Sequence, residues 1–461
     1  MKRFKKVLVW ITVSAGFIIA VLLLTLAVMN TIWGAELRKT ITEIKARGEP
    51  MTIAEIVPAY VSPEKNAAVE FHKVFALMCG DKLDEQYIPF KQPGKLKPNL
   101  EALNNFYPKM KQASADEIKK NLELVDSPEF SGIFDALNAA ALKPGCNYDL
   151  KYEDGVEMLF PNLGIHRAVA RLQCLKALCL ANKGNIAGAC DILMTNIKIS
   201  NHLQAEPSLI FQLVRMAYLQ MTTESLDNIA DNFQIPEVNA KIFITELEKI
   251  NTTEPLKKSF IAERICFGQT IFDKVISEKK VYDYLDKTKQ ANEVLCMGYS
   301  ILKPFIKRDY CEYLRIMSLY PKVCDKPFYL SGDEIKKIET DIRRIPHYCL
   351  LSGMFIPNLT GIFKNNAAFQ TKLAISKIKL ALVIYKSRHA AFPENLEQLK
   401  PEIIREIPID QLTGNPLTYK KEGDKYVLFS AAVQKLEEER ERDREKYKRE
   451  QAANQKKVAG K

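Results

Sequence analysis

The sequence predicts a mainly α protein. It has an N-terminal transmembrane helix, an irregular helical ectodomain with a tetratricopeptide-like helical hairpin, and a small C-terminal β-hairpin. Three observations predict it. Residues 7–35 carry no charge and are dominated by Ile, Leu, Val and Ala. Between 163 and 229, apolar residues recur three or four positions apart, as on one face of a helix. Near the C-terminus, Leu417-Thr418-Tyr419 and Tyr426-Val427-Leu428-Phe429 flank Glu422-Gly423-Asp424, a strand–turn–strand signal.

The uncharged run exceeds the roughly 20 apolar residues that a helix needs to span hydrocarbon. The only two tryptophans, Trp10 and Trp33, stand near its ends. They lie roughly 35 Å apart on a helix, about the spacing of the two interfacial belts. Lys2, Arg3, Lys5 and Lys6 precede the run and place the N-terminus in the cytoplasm by the positive-inside rule, although Arg38, Lys39, Lys45 and Arg47 follow it. A cleaved signal peptide would have a shorter apolar region and a small-x-small junction; here Trp33 precedes Gly34-Ala35. The expectation is an uncleaved signal-anchor over 7–35 after a basic stub at 1–6. The remainder would lie beyond the membrane, in the periplasm: a helical domain over 36–388, a loop and hairpin over 389–430, and a charged tail over 431–461.

The 461 residues are 47% hydrophobic and 27% charged, which is ample for a core. The net charge of +11 is scattered rather than gathered into a basic stripe with aromatics, so nucleic acid is not an expected partner. Ten cysteines in an exported domain permit disulfides. Cys174, Cys179 and Cys190 sit in apolar helical sequence and read as buried thiols, whereas Cys311, Cys324 and Cys349 read as the candidate bridge partners, with the pairing open.

Along the chain, a short polar helix is expected over Glu36–Arg47, and Ser62-Pro63 opens another. Residues 80–100 read as a loop and 114–142 as helical. One helix ends near Lys183-Gly184-Asn185, a second carries Ile186, Ala189, Leu193 and Ile197, and a third carries Ile210, Leu213, Val214, Ala217 and Met221. No second copy follows at a period of about 34 residues, so a single hairpin is expected rather than a solenoid. Pro304, Pro321, Pro327, Pro346 and Pro357 should break 304–357 into short pieces. A long helix follows over about 367–388, and the mixed-charge end from 434 reads as a solvated, partly helical tail.

No GxSxG, HExxH, Walker A or strand-borne GxGxxG motif is present. The five histidines, His72, His166, His202, His347 and His389, are dispersed; His166 reads as a capping or packing residue. Glu263-Arg264 suggests surface ion pairing, and Glu153-Asp154 before Gly155 a turn. No catalytic, cofactor-binding or metal set stands out.

Three stretches together carry a resemblance. They are Pro63-Glu64-Lys65-Asn66-Ala67-Ala68 with Phe71, the hairpin around Gly184-Asn185, and a C-terminal pair. The pair is Phe392-Pro393-Glu394-Asn395-Leu396 and Pro408-Ile409-Asp410-Gln411-Leu412-Thr413-Gly414-Asn415-Pro416-Leu417-Thr418-Tyr419. Together they resemble a group of uncharacterised membrane-anchored envelope proteins of planctomycetes, verrucomicrobia and lentisphaerae. The C-terminal element is similar to the end of type II secretion major pseudopilins. The resemblance implies an envelope location and no particular activity. Pseudopilins can hold calcium near the last strands, but here Ser430-Ala431-Ala432 offers no acidic loop. The pilin cleavage site and the early glutamate of the pilin helix are also absent, so pilus assembly is not expected. Ala390-Ala391 stands where such sequences often carry glycine.

Physically, the C-terminal motif reads as a fold element. Asp410 can accept backbone N–H bonds in an Asx-turn, Gly414 can supply positive φ, Pro416 precedes the strand, and Tyr419 with Phe429 would close the hairpin over the helix. The functional expectation is an interaction or scaffold protein of the cell envelope, its partners the bilayer and another envelope protein. The alternatives are an envelope hydrolase with a site assembled from distant helices, or a secretion-system accessory.

Overall fold

The uncharged run lies inside one continuous helix, α1 (Lys2–Ala46), long and apolar enough to cross a membrane. A computed structural model describes residues 2–79, 97–160, 163–278, 292–356 and 358–459. The helix does not stop at residue 35, and the polar segment 36–46 is its last three turns. No breaker intervenes until Gly48, which takes φ 73°, and Pro50. Among the described side chains from Val9 to Ile32, most large apolar ones are exposed; beyond that, Leu37, Ile41 and Ile44 form a stripe packed on the protein.

Pro63–Lys65 makes a 3₁₀ turn into α2 (Ala67–Cys79). Asn66 explains the Asn-Ala-Ala sequence. Its carboxamide accepts from Ala68 N (3.0 Å) and Asn147 N (3.0 Å) and donates to Asn147 O (2.8 Å), while Ala67 and Ala68 are buried in the first core. Of the loop expected over 80–100, residues 80–96 lie outside the described residues, and Lys97 opens helix α3 (Lys97–Phe106) instead. Ser114 caps α4 (Ala115–Val125) in a capping box with Glu117, and α5 (Ser131–Ala141) follows.

The central hairpin is as the periodicity predicts: α6 (Leu163–Asn182), a turn with Gly184 at φ 81°, and α7 (Ile186–Leu203) capped by Asn185. Then come α8 (Leu209–Asn232), α9 (Glu237–Glu248), α10 (Thr253–Glu263), a π-helical turn at Arg264–Gln269 and α11 (Thr270–Glu278). Pro304 does not break the chain; it lies inside α12 (Asn292–Met317), and Pro357 lies outside the described residues. A proline removes one helix bond, and neighbouring packing offsets that loss. The short pieces α13 (Gly332–Arg343) and α14 (Leu350–Phe355) lead to α15 (Thr360–His389), longer at its start than expected.

Three cores hold these elements. The first joins Phe71, Phe75, Ile133, Leu137, Val169 and Tyr218. The second joins Leu193, Leu226, Phe243 and Leu417 to Ile378 and Ala381 of α15. The third joins Leu37 and Ile44 of α1 to Phe260, Phe272, Tyr313 and Tyr320, tying the end of the apolar helix into the domain.

The C-terminal sheet has two antiparallel strands, β1 (Thr418–Glu422) and β2 (Lys425–Phe429), with Thr418 opposite Phe429 and Gly423 at φ 62° in the turn. Tyr419, Tyr426 and Leu428 pack on the second core; Tyr426 and Leu428, rather than Phe429, are the partners of Tyr419, because side chains alternate along each strand. The mixed-charge tail is helical as α16 (Ala431–Ala459), and it is not wholly solvated. Val433 and Leu436 are buried with Ala368, and Glu437 pairs with Lys372 at 2.5 Å.

Candidate functional site

The C-terminal motif residues converge on one buried carboxylate. Asp410 accepts from Leu412 N (2.8 Å), closing the expected Asx-turn, and also from Thr371 Oγ1 on α15 (3.2 Å) and Ser430 Oγ (2.6 Å). Ser430 accepts in turn from Val433 N at 3.0 Å, so it caps α16. One side chain thereby fastens a loop and two helices. Gly414 takes φ 76° and its N–H donates to Asp410 O at 2.8 Å; a Cβ there would meet the Tyr329 ring at 2.7 Å. Pro416 bridges to Ile409, next to Pro408, and leads into β1; the Pro393 carbonyl accepts from Tyr419 Oη at 2.7 Å. These residues build and attach the hairpin, and none of them forms a reactive group. Of the two tryptophans, Trp10 is exposed, and Trp33 is half-buried against Phe305 with ring centroids 5.4 Å apart.

Where the hairpin meets the helices, a cleft of about 760 Å³ opens between the end of α8, the end of α15 and β2. Its walls include Asp231, Lys379, Lys386, Phe392, Lys425 and Tyr426. Lys379 Nζ lies 2.6 Å from Asp231 and 3.8 Å from Asp227, one turn earlier on α8. Tyr426 Oη donates to the other oxygen of Asp231 at 3.1 Å. Burial raises the Asp227 carboxyl to about 7, against the opposing pull of Lys379 and a hydrogen bond with Ser376. Lys386 Nζ sits 4.5 Å from the centre of the Phe392 ring and donates to Asp424 O. Among the described residues, Lys386 and Lys425 are in no ion pair with a carboxylate. The cleft thus combines aromatic faces with two amines that no carboxylate among the described residues neutralises. Sequence reasoning found the hairpin but not the cleft, because Asp227, Lys379 and Tyr426 are joined only by the packing of three distant segments.

A second polar cluster is sealed in the first core. Glu206 accepts from Tyr148 N (2.8 Å) and Tyr152 Oη (2.5 Å), and Tyr148 Oη hydrogen-bonds His166 Nε2 at 2.9 Å. Burial pushes His166 down to about 3 and raises Glu206 above the usual carboxylate range, so the imidazole is neutral. The histidines are less dispersed than the sequence suggests: the rings of His72, His166 and His202 all lie within 6.4 Å of Phe71 or Tyr148, centroid to centroid. His166 is the expected packing residue.

Two other expectations change. Glu263 and Arg264 are not a surface pair: Arg264 is wholly buried and pairs with Glu49 at 2.5 Å, while Glu263 accepts from Leu209 N at 3.2 Å. Successive helical residues point about 100° apart, so these neighbouring side chains reach different elements. Cys311, Cys324 and Cys349 are free and buried, as are Cys146, Cys174, Cys179, Cys190 and Cys266, so none of these forms a bridge. Each is enclosed in its local core, with burial raising the Cys311, Cys324 and Cys349 thiols to about 12. Glu153 and Asp154 do lie in a turn, with Gly155 at φ 58°. No family model, curated protein or solved structure matches the chain.

Proposed function

We propose that this is a membrane-anchored cell-envelope protein whose helical domain acts as a scaffold, holding an extended, acid-bearing segment of a partner in the cleft between α8, α15 and β2. The observation that carries this reading is the lining of that cleft: Phe392 and Tyr426 offer flat apolar contact, and Lys386 and Lys425 offer unpaired positive charge beside it. The anchor reading is supported by the apolar span of α1, with the N-terminus held in the cytoplasm by Lys2, Arg3, Lys5 and Lys6 and the domain in the periplasm.

The test is site-specific photo-crosslinking in cells, with the crosslinker at Lys425 in the cleft and at exposed Leu142 as control. The reading expects one envelope protein captured from Lys425 alone, mapped to an acidic segment and lost on Lys386→Glu. The same products from both positions, or none from Lys425, would overturn it. A reporter enzyme fused after Lys461 reads the side of the membrane independently.

One observation favours a second reading, an envelope hydrolase: the Asp227 carboxyl, raised by burial to about 7, shares Lys379 with Asp231, a residue of the cleft wall. Turnover of glycan or peptide substrates that is abolished by Asp231→Asn would support it. Absence of turnover across the pH range would remove it.

A further inference from the structure

The juxtamembrane end of α1 is a packed interface. Helix α12 runs beside it in the same direction: Lys307 Nζ is 3.5 Å from Asn30 O, Phe305 meets Trp33, and Arg308 pairs with Glu36 at 2.8 Å. The order of these contacts carries the start of α12 back past Trp33, the residue that marks the end of the apolar span. Residues Val294–Leu302, at that start, are uncharged in sequence, and Leu302 is exposed.

The same Phe305 ring also meets Tyr348 edge-on, with centroids 5.9 Å apart. The Asp309 carboxylate accepts from Leu351 N (2.8 Å) and Ser352 N (3.0 Å), which fixes α14 on α12. The result is an apolar face held outward: Tyr348 is 48%, Leu350 55% and Met354 58% exposed, the last two one turn apart on α14. Such a face beside an ordinary soluble core is unexplained by folding.

Positive charge gathers at the same level. Gly34 leaves α1 without a side chain, and a Cβ there would lie 3.1 Å from Lys307 Nζ and 3.6 Å from Arg38 Nη1. Lys303 adds a third cation near enough to act on Lys307. Among the described residues, none of the three is in an ion pair; Glu36, two residues before Arg38, is taken by Arg308, and Asp309, two residues after Lys307, accepts from the Leu351 and Ser352 amides.

We propose that Tyr348, Leu350 and Met354, with Arg38, Lys303 and Lys307, form a membrane-facing surface that rests in the headgroup layer of the bilayer α1 crosses. Apolar side chains then reach the acyl boundary while the three cations meet lipid phosphates. The inference rests on the anchor reading of α1. Three apolar side chains would bind a membrane only marginally by themselves, but α1 has already brought them to it, so association carries no further translational cost.

The test uses the full chain in nanodiscs containing anionic lipid, with tryptophan quenching by lipids brominated near the headgroup. A Trp10→Phe chain keeps Trp33 alone and reads the anchor. A chain with both tryptophans replaced by phenylalanine then carries Leu350→Trp, Met354→Trp, or Tyr60→Trp as control, Tyr60 being 83% exposed. The expected result is quenching at 350 and 354 within about twofold of that at Trp33, with none at 60. Quenching at Trp33 but at neither 350 nor 354 overturns the inference and leaves the anchor standing. No quenching at Trp33 overturns the anchor reading and the inference with it.

Discussion

Gly268 lies in the π turn between α10 and α11, directly beneath the ring of Tyr313. Helix propensity alone says that Gly268→Ala should stabilise the protein by about 1 kcal/mol. The packing says the opposite. An added Cβ would stand 1.8 Å from Tyr313 Cζ and 2.0 Å from its Oη. Carbon atoms settle about 3.5–4 Å apart, so the ring must retreat by roughly 2 Å. It has nowhere to go: Tyr313 is wholly buried, and Phe272 packs against it at 5.4 Å. Retreat also breaks the bond from Tyr313 Oη to Arg264 O (3.1 Å), which satisfies a carbonyl in the π turn. Overpacking of about 3 kcal/mol and a lost hydrogen bond of about 1, less the propensity gain of about 1, leave a net destabilisation of about 3 kcal/mol. Urea unfolding of the full chain in detergent measures it. Tyr313→Leu in the same background should recover at least about 1 kcal/mol of the expected sum in a double-mutant cycle. A Gly268→Ala protein as stable as the parent, or strict additivity with Tyr313→Leu, would refute the reasoning.

Ala390 ends α15 at φ 59°, a conformation that disfavours a Cβ, so Ala390→Gly should raise stability by about 0.5–1 kcal/mol in the same assay. Asp227 is raised in the folded state from its ordinary 3.8 to about 7, so its contribution is fully present below about pH 4 and lost as pH rises through about 7. Asp227→Asn should therefore leave stability at pH 4 nearly unchanged and raise it at pH 8, as read by thermal melts at the two values. Ser430→Ala removes both the cap of α16 and a donor to Asp410; a loss of about 2 kcal/mol and faster hydrogen exchange at the Val433 amide are expected.

Much of the fold was legible because its signals are local. The uncharged stretch, the Gly184-Asn185 turn and the Gly423 turn each carry their own signal, and each is where the sequence placed it. The Asp410 Asx-turn was legible for the same reason, but its bonds to Thr371 and Ser430 were not, since they join segments 39 and 20 residues away. The extension of α1 past residue 35 was misjudged because a change from apolar to polar side chains looks like a boundary, although the backbone meets no breaker before Gly48. Pro304 misled in the opposite sense: α12 absorbs it within a packed helix. Arg264 could not be placed from sequence, because its partner, Glu49, is 215 residues away.

The continuity of α1 has a geometric consequence. A domain joined to an anchor by a flexible linker samples a range of heights and tilts above the bilayer. Here the same helix that carries the apolar span runs on into the third core, where Leu37 and Ile44 are buried and Glu36 is held by Arg308. For a chain anchored in a bilayer, that helix is a ruler. On the scaffold reading proposed above, the cleft at β2 would stand at one distance from the membrane, and a partner segment would be selected by its reach as well as by its chemistry.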